Sequence, residues 1–155
     1  LVAPGNVLVR VGEAAPFIEL GLRRPEIAAL ATDPITALDG PVRALPDEAA
    51  LLAYLRAGLL EEHLAPLAEA LHERVRVGVR TLLGSVASGI AYALVRSADA
   101  LPGGVAGTTR EILEALDLAG LVDVGADLSV RRHTCCLAFT LPEPRVCSGC
   151  CLPRT

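Results

Sequence analysis

The chain has 155 residues, which is about the length of one domain and enough to enclose a single hydrophobic core. Hydrophobic residues make up 52% of it and aromatic residues only 3%, so a disordered or collagen-like chain is excluded and the core must consist of Leu, Val and Ala. The 14 basic residues, all of them Arg, and the 18 acidic residues give a net charge of −4, which argues against nucleic-acid binding. We expect one domain that spans residues 1–155.

No segment has the pattern of an export signal or a membrane span. The chain opens with the turn-forming pair Pro4 and Gly5 instead of a basic and then apolar run. The longest uncharged stretch, between Arg80 and Arg96, has 15 residues, fewer than the roughly 20 that a membrane-spanning helix needs. We therefore expect a protein of the reducing cytoplasm, where disulfides are rare, and leave open a loose association with the inner face of the membrane.

The first part of the chain is predicted to contain a short β element. Apolar residues alternate with others over Asn6–Val11, and Phe17–Leu20 is a second apolar segment after a proline, so each is predicted to form a strand. A short helical turn is expected over Pro25–Leu30. The proline and glycine residues within Asp33–Pro46 predict a loop.

Three helices are predicted after residue 46, because apolar residues recur there at the spacing of one helix face. The first contains Leu51, Leu52, Leu55 and Leu59, the second Leu64, Leu67, Ala68 and Leu71, and the third Val75, Val79, Leu82, Val86, Ile90 and Ala93. Thr108 and Glu111 fit a capping box at the start of a fourth helix, Arg110–Ala119, which should stop at Gly120. The predicted fold class is therefore α+β and mainly α, with a short N-terminal β element, central helices and an irregular C-terminal tail.

All five cysteines lie in this tail, within the last 21 residues of the chain. They are Cys135, Cys136, Cys147, Cys150 and Cys151, and the first four are spaced Cys-Cys-x10-Cys-x2-Cys. Buried structural cysteines are disfavoured because a tail rich in Pro and Gly offers no core. Disulfides are disfavoured by the odd number of cysteines and by the reducing compartment. The two metal-binding alternatives are zinc and an iron–sulfur cluster.

The spacing of the cysteines bears on the choice between these two metals. Cys147-x-x-Cys150 is a common zinc half-site, but the vicinal pair Cys135-Cys136 is not a zinc knuckle, and no histidine completes a mixed site convincingly. A [2Fe–2S] cluster needs four thiolates, two for each iron, which a vicinal pair and a C-x-x-C turn can provide. Gly149 is expected to allow a positive φ inside that turn. An iron–sulfur cluster is the favoured interpretation, and structural zinc remains the alternative.

The cysteine pattern, preceded by Arg131 and Arg132, closely resembles the C-terminus of the FhuF-like ferric siderophore reductases. That family holds a [2Fe–2S] cluster on four cysteines and passes one electron to the iron of a siderophore. The resemblance implies that the metal ligands of this chain are Cys135, Cys136, Cys147 and Cys150. Cys151 lies outside the four-ligand pattern and is expected to be a spectator or a fallback ligand.

Segments upstream of the tail look like the helical middle of the same family. They are His63–Leu67, Arg76–Gly78 and Gly84–Ala87. Where relatives often have Trp-Gly-Asn, this chain has Leu83-Gly84-Ser85, so substrate contacts are not carried over from the family. The chain is also shorter than full-length members. We therefore expect an N-terminally truncated or reduced member, with residues 121–155 as its cluster-binding tail.

The resemblance implies an enzyme: a cytoplasmic reductase of ferric siderophores, above all of the hydroxamate type, that takes electrons from a reductase or ferredoxin for iron assimilation. Arg131, Arg132 and Arg145 flank the ligands and would stabilise the reduced, more negative cluster, unless they are only solvated surface residues. His133 would donate a hydrogen bond to the cluster, unless it is an exposed loop residue. The alternatives are a non-catalytic electron carrier or siderophore-binding protein, and a structural zinc module.

Overall fold

The computed structural model of the chain describes residues 6–14, 18–24, 26–101, 104–140 and 142–151. The chain divides into two compact units, Leu1–Pro66 and Leu67–Thr155. The expectation of a single domain stays a prediction, as does the role of residues 121–155 as a cofactor-binding tail.

The first unit begins with an antiparallel pair of strands, β1 (Val7–Val11) and β2 (Ile18–Leu22), as the sequence predicted. Val7 lies opposite Leu22, so the two apolar alternations are in phase and place their apolar residues on the same face of the pair. Two residues at the starts of predicted segments lie outside the described residues, namely Phe17 and Pro25.

A second pair of strands, β3 (Ile27–Leu30) and β4 (Val42–Leu45), is parallel, with Ile27 beside Val42. The predictions of a helical turn and of an unbroken loop over these residues are both wrong. A parallel pair needs a crossover connection, which here contains the 3-10 turn Pro34–Ala37. The backbone hydrogen bonds between the strands outweigh the helix preference of the alanines in β3.

The helix that follows these strands is an α-helix in its first part and a π-helix in its second. α1 (Glu48–Leu55) begins after Asp47, whose carboxylate caps the helix by accepting a hydrogen bond from a backbone N–H of the first turn at 2.8 Å. It continues as a π-helical segment, Arg56–Leu64, in which hydrogen bonds join residues five apart. Side chains five residues apart then lie on the same side of the helix. The Nε atom of Arg56 accordingly donates to Glu61 Oε1 at 2.8 Å.

The remaining helices are α2 (Ala65–Val75), α3 (Val79–Arg96) and α4 (Val105–Ala115). The sequence predicted that one helix would continue from the end of α2 through α3. The chain instead breaks between them, because Arg76 has a positive φ of 56°, which an α-helix does not accommodate. The third predicted helix is therefore present but starts four residues later than expected.

Helix α4 begins and ends earlier than the sequence predicted. Thr108 lies inside its first turn, where the hydroxyl donates to Gly104 O at 3.2 Å, so this residue does not cap the helix. The helical turns end before Asp117, which has a positive φ of 57°, and not at Gly120. Asp tolerates this conformation better than most residues, so a glycine is not needed to end the helix.

Two short antiparallel strands, β5 (Val122–Val124) and β6 (Val130–Arg132), complete the second unit and lead into the cysteines. The buried apolar residues of this unit come from its helices, these strands and the loop before β5: Ala68, Ala87, Ala91, Val105, Leu113, Leu116, Leu118, Leu121, Val122 and Val130. The prediction of a mainly helical α+β fold is confirmed. In the described part of the chain, no helix combines the length and the apolar character needed to cross a lipid bilayer.

Candidate metal centre in the cysteine tail

We call residues 133–151, which contain all five cysteines, the cysteine tail. Its turn Cys147–Cys151 is fixed against β6 by a close backbone approach. Arg132 N donates to Gly149 O at 2.9 Å, and a Cβ atom on Gly149 would lie only 2.4 Å from Val130 O. Glycine is therefore required there by space. The predicted positive φ at Gly149 is wrong, because Gly104 alone among the described glycines has one.

Helix α3 provides the surface against which the cysteine tail packs. The hydroxyl groups of Tyr92 and Ser148 form a hydrogen bond of 3.0 Å. Nearer the start of the helix, Gly84 approaches Thr134 so closely that a Cβ atom on it would lie 1.8 Å from the Thr134 Oγ1 atom. Thr134 directly precedes the first cysteine and Ser148 lies in the last turn, so both ends of the tail are held on one helix.

Arg132 is a buried charge in this region, with only 8% of its surface exposed. Its Nη2 atom donates to Ser85 Oγ at 2.9 Å, and its Nε atom donates to Thr134 O at 3.3 Å. No Asp or Glu of the described residues forms an ion pair with it. A buried cation needs a compensating anion, and an ionisable group on which this guanidinium acts is the thiol of Cys136.

The sulfur atoms of Cys136 and Cys147 are in contact, 3.6 Å apart. Two sulfurs that bind one tetrahedral metal ion, each with a bond of about 2.3 Å, lie about 3.8 Å from one another. This pair therefore has the separation that a shared metal ion requires. A backbone N–H also points at a neighbouring sulfur, since Leu137 N donates to Cys135 Sγ at 3.3 Å. Hydrogen bonds of this kind stabilise thiolates and tune iron–sulfur centres.

The thiols of the tail affect one another's ionisation. The backbone N–H of Ala138 lowers the pKa of the Cys136 thiol, and the guanidinium of Arg132 acts in the same direction. Burial raises the pKa of the Cys147 thiol to about 11, and the neighbouring thiols of Cys136 and Cys150 add to the increase. Ionising all of these sulfurs together therefore requires a positive charge among them, which a bound metal ion supplies.

Cys151 was predicted to lie outside the ligand set, but its thiol interacts with those of other cysteines. Burial raises the pKa of its thiol, and the thiols of Cys135 and Cys150 act in the same direction. The sulfurs of Cys136 and Cys147 are in contact, and the thiols of Cys135, Cys150 and Cys151 lie near enough to affect one another or this pair. Within the described residues, no three His, Cys, Asp or Glu side chains surround one point as metal ligands do. The donor set is all sulfur and is accompanied by backbone N–H donors, which is the chemistry that a thiophilic metal binds.

The other residues predicted to lie beside the cysteines have different roles. The Nδ1 atom of His133 lies 3.1 Å from Gly120 O, and its Nε2 atom lies 2.6 Å from the Asp123 carboxylate, which raises the pKa of the imidazole. Both ring nitrogens are thus engaged away from the sulfurs, so His133 does not complete a mixed metal site. Arg131 is exposed, and Arg145 forms an exposed ion pair at 3.5 Å. Of the three arginines that were predicted to flank the metal ligands, Arg132 is therefore the buried one.

The sequence did not reveal the residues that hold the tail in place, namely Ser85, Tyr92 and Thr134. One signal was present, because α3 carries a series of small residues that permits close packing: Gly84, Ser85, Ala87, Ser88 and Ala91. Gly84 and Ser85 belong to the segment Leu83-Gly84-Ser85, at which no substrate contacts were carried over from the family resemblance. Both contact the region of the cysteine tail.

A cleft of about 520 Å³ lies beside the residues that precede the first cysteine pair. Its lining comes from the start of α3 and from the loop after α4: Val79, Arg80, Leu83, Asp117, Leu118, Gly120 and Leu121. On one wall, His133 N donates to Leu121 O at 2.9 Å. On the other, Leu83 adjoins Gly84, which packs on Thr134. The cleft therefore adjoins His133 and Thr134, the two residues that lead into Cys135.

Comparisons with protein-family models, with curated proteins and with solved structures find no match to this chain. No ligand or substrate can therefore be carried over from a relative. The resemblance of the cysteine pattern to the siderophore reductases stays an expectation.

Proposed function

We propose that Cys135, Cys136, Cys147 and Cys150 hold a [2Fe–2S] centre and that the protein reduces siderophore-bound Fe(III) to Fe(II), which releases the iron. The observation that carries this proposal is the buried guanidinium of Arg132, which acts on the Cys136 thiol and has no carboxylate partner among the described residues. Desolvating a cation costs on the order of several kcal/mol unless an anion lies near it. Four thiolates around two irons carry a net negative charge, which would compensate for this cost.

A bound [2Fe–2S] centre supplies the transfer of single electrons. Arg132 stabilises negative charge at the tail, because Ser85 and the carbonyl of Thr134 fix its guanidinium. The backbone N–H groups of Leu137 and Ala138 donate to cysteine sulfurs and orient them. The proposed reaction needs no nucleophile and no proton-transfer base, since Fe(II) is held less tightly than Fe(III) by hard oxygen ligands.

The cleft beside the residues that precede the first cysteine pair is the proposed docking position of a hydroxamate siderophore. It combines an apolar floor with the charged residues Arg80 and Asp117, which suits a chelate with both apolar and amide surface. The electron donor is proposed to be a cytoplasmic reductase or ferredoxin. The exposed Arg131 would attract the acidic surface of such a donor.

The deciding experiment is purification under argon, followed by iron, zinc and sulfide analysis and by EPR of the reduced protein. We expect two irons and two sulfides per chain, and formation of a ferrous complex when the reduced protein is mixed with a ferric hydroxamate and a ferrous chelator. A colourless protein with stoichiometric zinc would contradict the proposal in favour of a structural zinc module. An iron–sulfur protein that gives no ferrous complex would indicate an electron carrier or a siderophore-binding protein.

The proposed ligands are tested by single substitutions of each cysteine to serine. Loss of any of Cys135, Cys136, Cys147 or Cys150 should abolish or shift the visible spectrum, because serine is a harder and poorer ligand for this iron. Cys151→Ser is the matched control and should keep the spectrum. An equal loss for all five variants would refute this ligand assignment.

The role of Arg132 is tested by comparing Arg132→Gln with Arg131→Gln. The two arginines are adjacent, but Arg132 is buried and Arg131 is exposed. Removing the buried positive charge destabilises the reduced, more negative centre, so Arg132→Gln should shift the midpoint potential to more negative values. Arg131→Gln should shift it much less, because solvent screens an exposed charge. The measurement is a potentiometric titration followed by EPR, and equal shifts would contradict the assignment.

A further inference from the structure

We propose that Cys136 and Cys147 form a reversible intramolecular disulfide in the protein without a bound metal. The proposal concerns the metal-free chain and holds whether the bound metal is iron or zinc, so it does not depend on the proposed function. It starts from the contact of 3.6 Å between the two half-buried sulfur atoms. This contact joins residues that are 11 positions apart in the chain.

The competing pairs are less favourable. A bond between the adjacent Cys135 and Cys136 would close a strained ring, and the Cys135 sulfur is already a hydrogen-bond acceptor of Leu137 N. The C-x-x-C spacing would favour Cys147 with Cys150. In the fold, however, the Cys147 sulfur lies 3.6 Å from the sulfur of Cys136. The tertiary contact therefore selects a partner that the sequence spacing does not.

The bond would form by thiol–disulfide exchange with a small disulfide such as oxidised glutathione. The Cys136 thiol loses its proton to water, and its thiolate attacks one sulfur of the oxidant and releases one glutathione thiolate. The Cys147 thiol then loses its proton to water, and its thiolate attacks the Cys136 sulfur and releases the second glutathione. Two cysteine thiols are oxidised, one glutathione disulfide is reduced, and two protons pass to the products.

The bond would couple metal loading to the redox state of the surroundings. Cys136 and Cys147 cannot bind a metal while their sulfurs are bonded to each other, because a metal ligand must be a thiolate. Reduction by a dithiol would restore both ligands. The oxidised chain is therefore expected to bind neither iron nor zinc at these cysteines until the disulfide is reduced.

The test uses chelator-treated, metal-free protein exposed to oxidised glutathione, followed by trypsin digestion and mass spectrometry without reduction. Trypsin cleaves after Arg132 and Arg145, which separates the first cysteine pair from the other three cysteines. A Cys136–Cys147 bond links the two peptides, with a loss of two hydrogen atoms. A dominant bond inside the second peptide, between Cys147 and Cys150, would overturn the proposal.

Two variants that each keep only two cysteines identify the linked residues. One keeps Cys136 and Cys147, and its matched control keeps Cys135 and Cys147, with all other cysteines changed to serine. The first should form the bond at least about tenfold faster, because its sulfurs are already in contact. Equal rates, with circular dichroism showing that both variants are folded, would also overturn the proposal. Neither readout involves iron, so this result and that of the proposed function can fail separately.

Discussion

The β1–β2 pair and the cysteine tail use opposite kinds of residues and differ in how tightly they are packed. The paired strands are rich in large apolar residues, yet most of these are exposed, with Leu20 at 72% and Val11 at 77%. The tail has few large apolar residues, but Arg132, Thr134 and Gly149 are buried at its base and in its last turn. Hydrophobic pattern is sufficient to form the strands, whereas close approach of small and polar groups fixes the tail.

The two regions gain free energy from folding in different ways. Exposed apolar residues in β1 and β2 gain little free energy from folding, because most of their surface stays in water. The tail gains its order from short-range contacts that a single methyl group can disrupt. Substitutions of similar size should therefore have different effects in the two regions.

The largest expected effect is that of Gly149→Ala. The new Cβ atom would lie 2.4 Å from the carbonyl oxygen of Val130, and this oxygen belongs to β6 and cannot move without displacing the strand. We expect the free energy of unfolding to fall by about 3 kcal/mol. Denaturant unfolding followed by circular dichroism measures it.

The matched control for this substitution is Gly21→Ala in β2. The nearest atom to a Cβ there is that of Leu8 at 3.7 Å, which is an ordinary contact. The free energy of unfolding should change by no more than about 0.5 kcal/mol. If both substitutions cost the same, the proposed difference between the two regions does not hold.

Gly84→Ala should have the next largest effect. Its Cβ atom would collide with the side chain of Thr134, which can relieve part of the clash by rotating, so we expect a loss of about 1–2 kcal/mol. Gly89 lies in the same helix with no atom within 4 Å of its Cβ position. Gly89→Ala should therefore stabilise the protein by up to about 1 kcal/mol, since alanine favours a helix. Thermal unfolding of the two variants should show shifts of opposite sign, and shifts of the same sign would contradict the assignment of Gly84.

The elements predicted correctly are those whose signal lies within the element itself. The alternation in β1 is visible in five residues, and the apolar face of α3 repeats over its whole length. β3 and β4 were missed because each depends on the other, and Ile27 pairs with Val42 far along the chain. A short alanine-containing segment does not show by itself that it will pair as a strand.

The candidate site was located from the sequence, but its internal contacts were not. The clustering of cysteines pointed to the C-terminal tail, residues 121–155, without any knowledge of the fold. The burial of Arg132 could not be predicted, because arginine is normally exposed and its partner Ser85 lies 47 residues earlier. The contact between the Cys136 and Cys147 sulfurs likewise depends on the way in which the tail folds back on itself.

The smallest loss of stability expected at the cysteine tail is that of Tyr92→Phe, which removes the hydrogen bond to Ser148. The free energy of unfolding should fall by about 1 kcal/mol, the usual contribution of one such bond. The loss should be concentrated in the last turn of the tail, where Cys150 N donates to Cys147 O at 3.2 Å. Hydrogen exchange of the Cys150 amide should therefore become faster.

Tyr54→Phe is the matched control for this last substitution, because it also removes one tyrosine hydroxyl, which donates to Glu26 at 2.9 Å in the first unit. A similar loss of stability is expected in that unit, with the exchange of the Cys150 amide unchanged. If Tyr92→Phe left this amide as protected as Tyr54→Phe does, the bond to Ser148 would not contribute to holding the turn. The contacts of Gly149 with β6 would then be sufficient to order the C-terminal cysteines, and the role of α3 would be confined to Gly84 and Ser85.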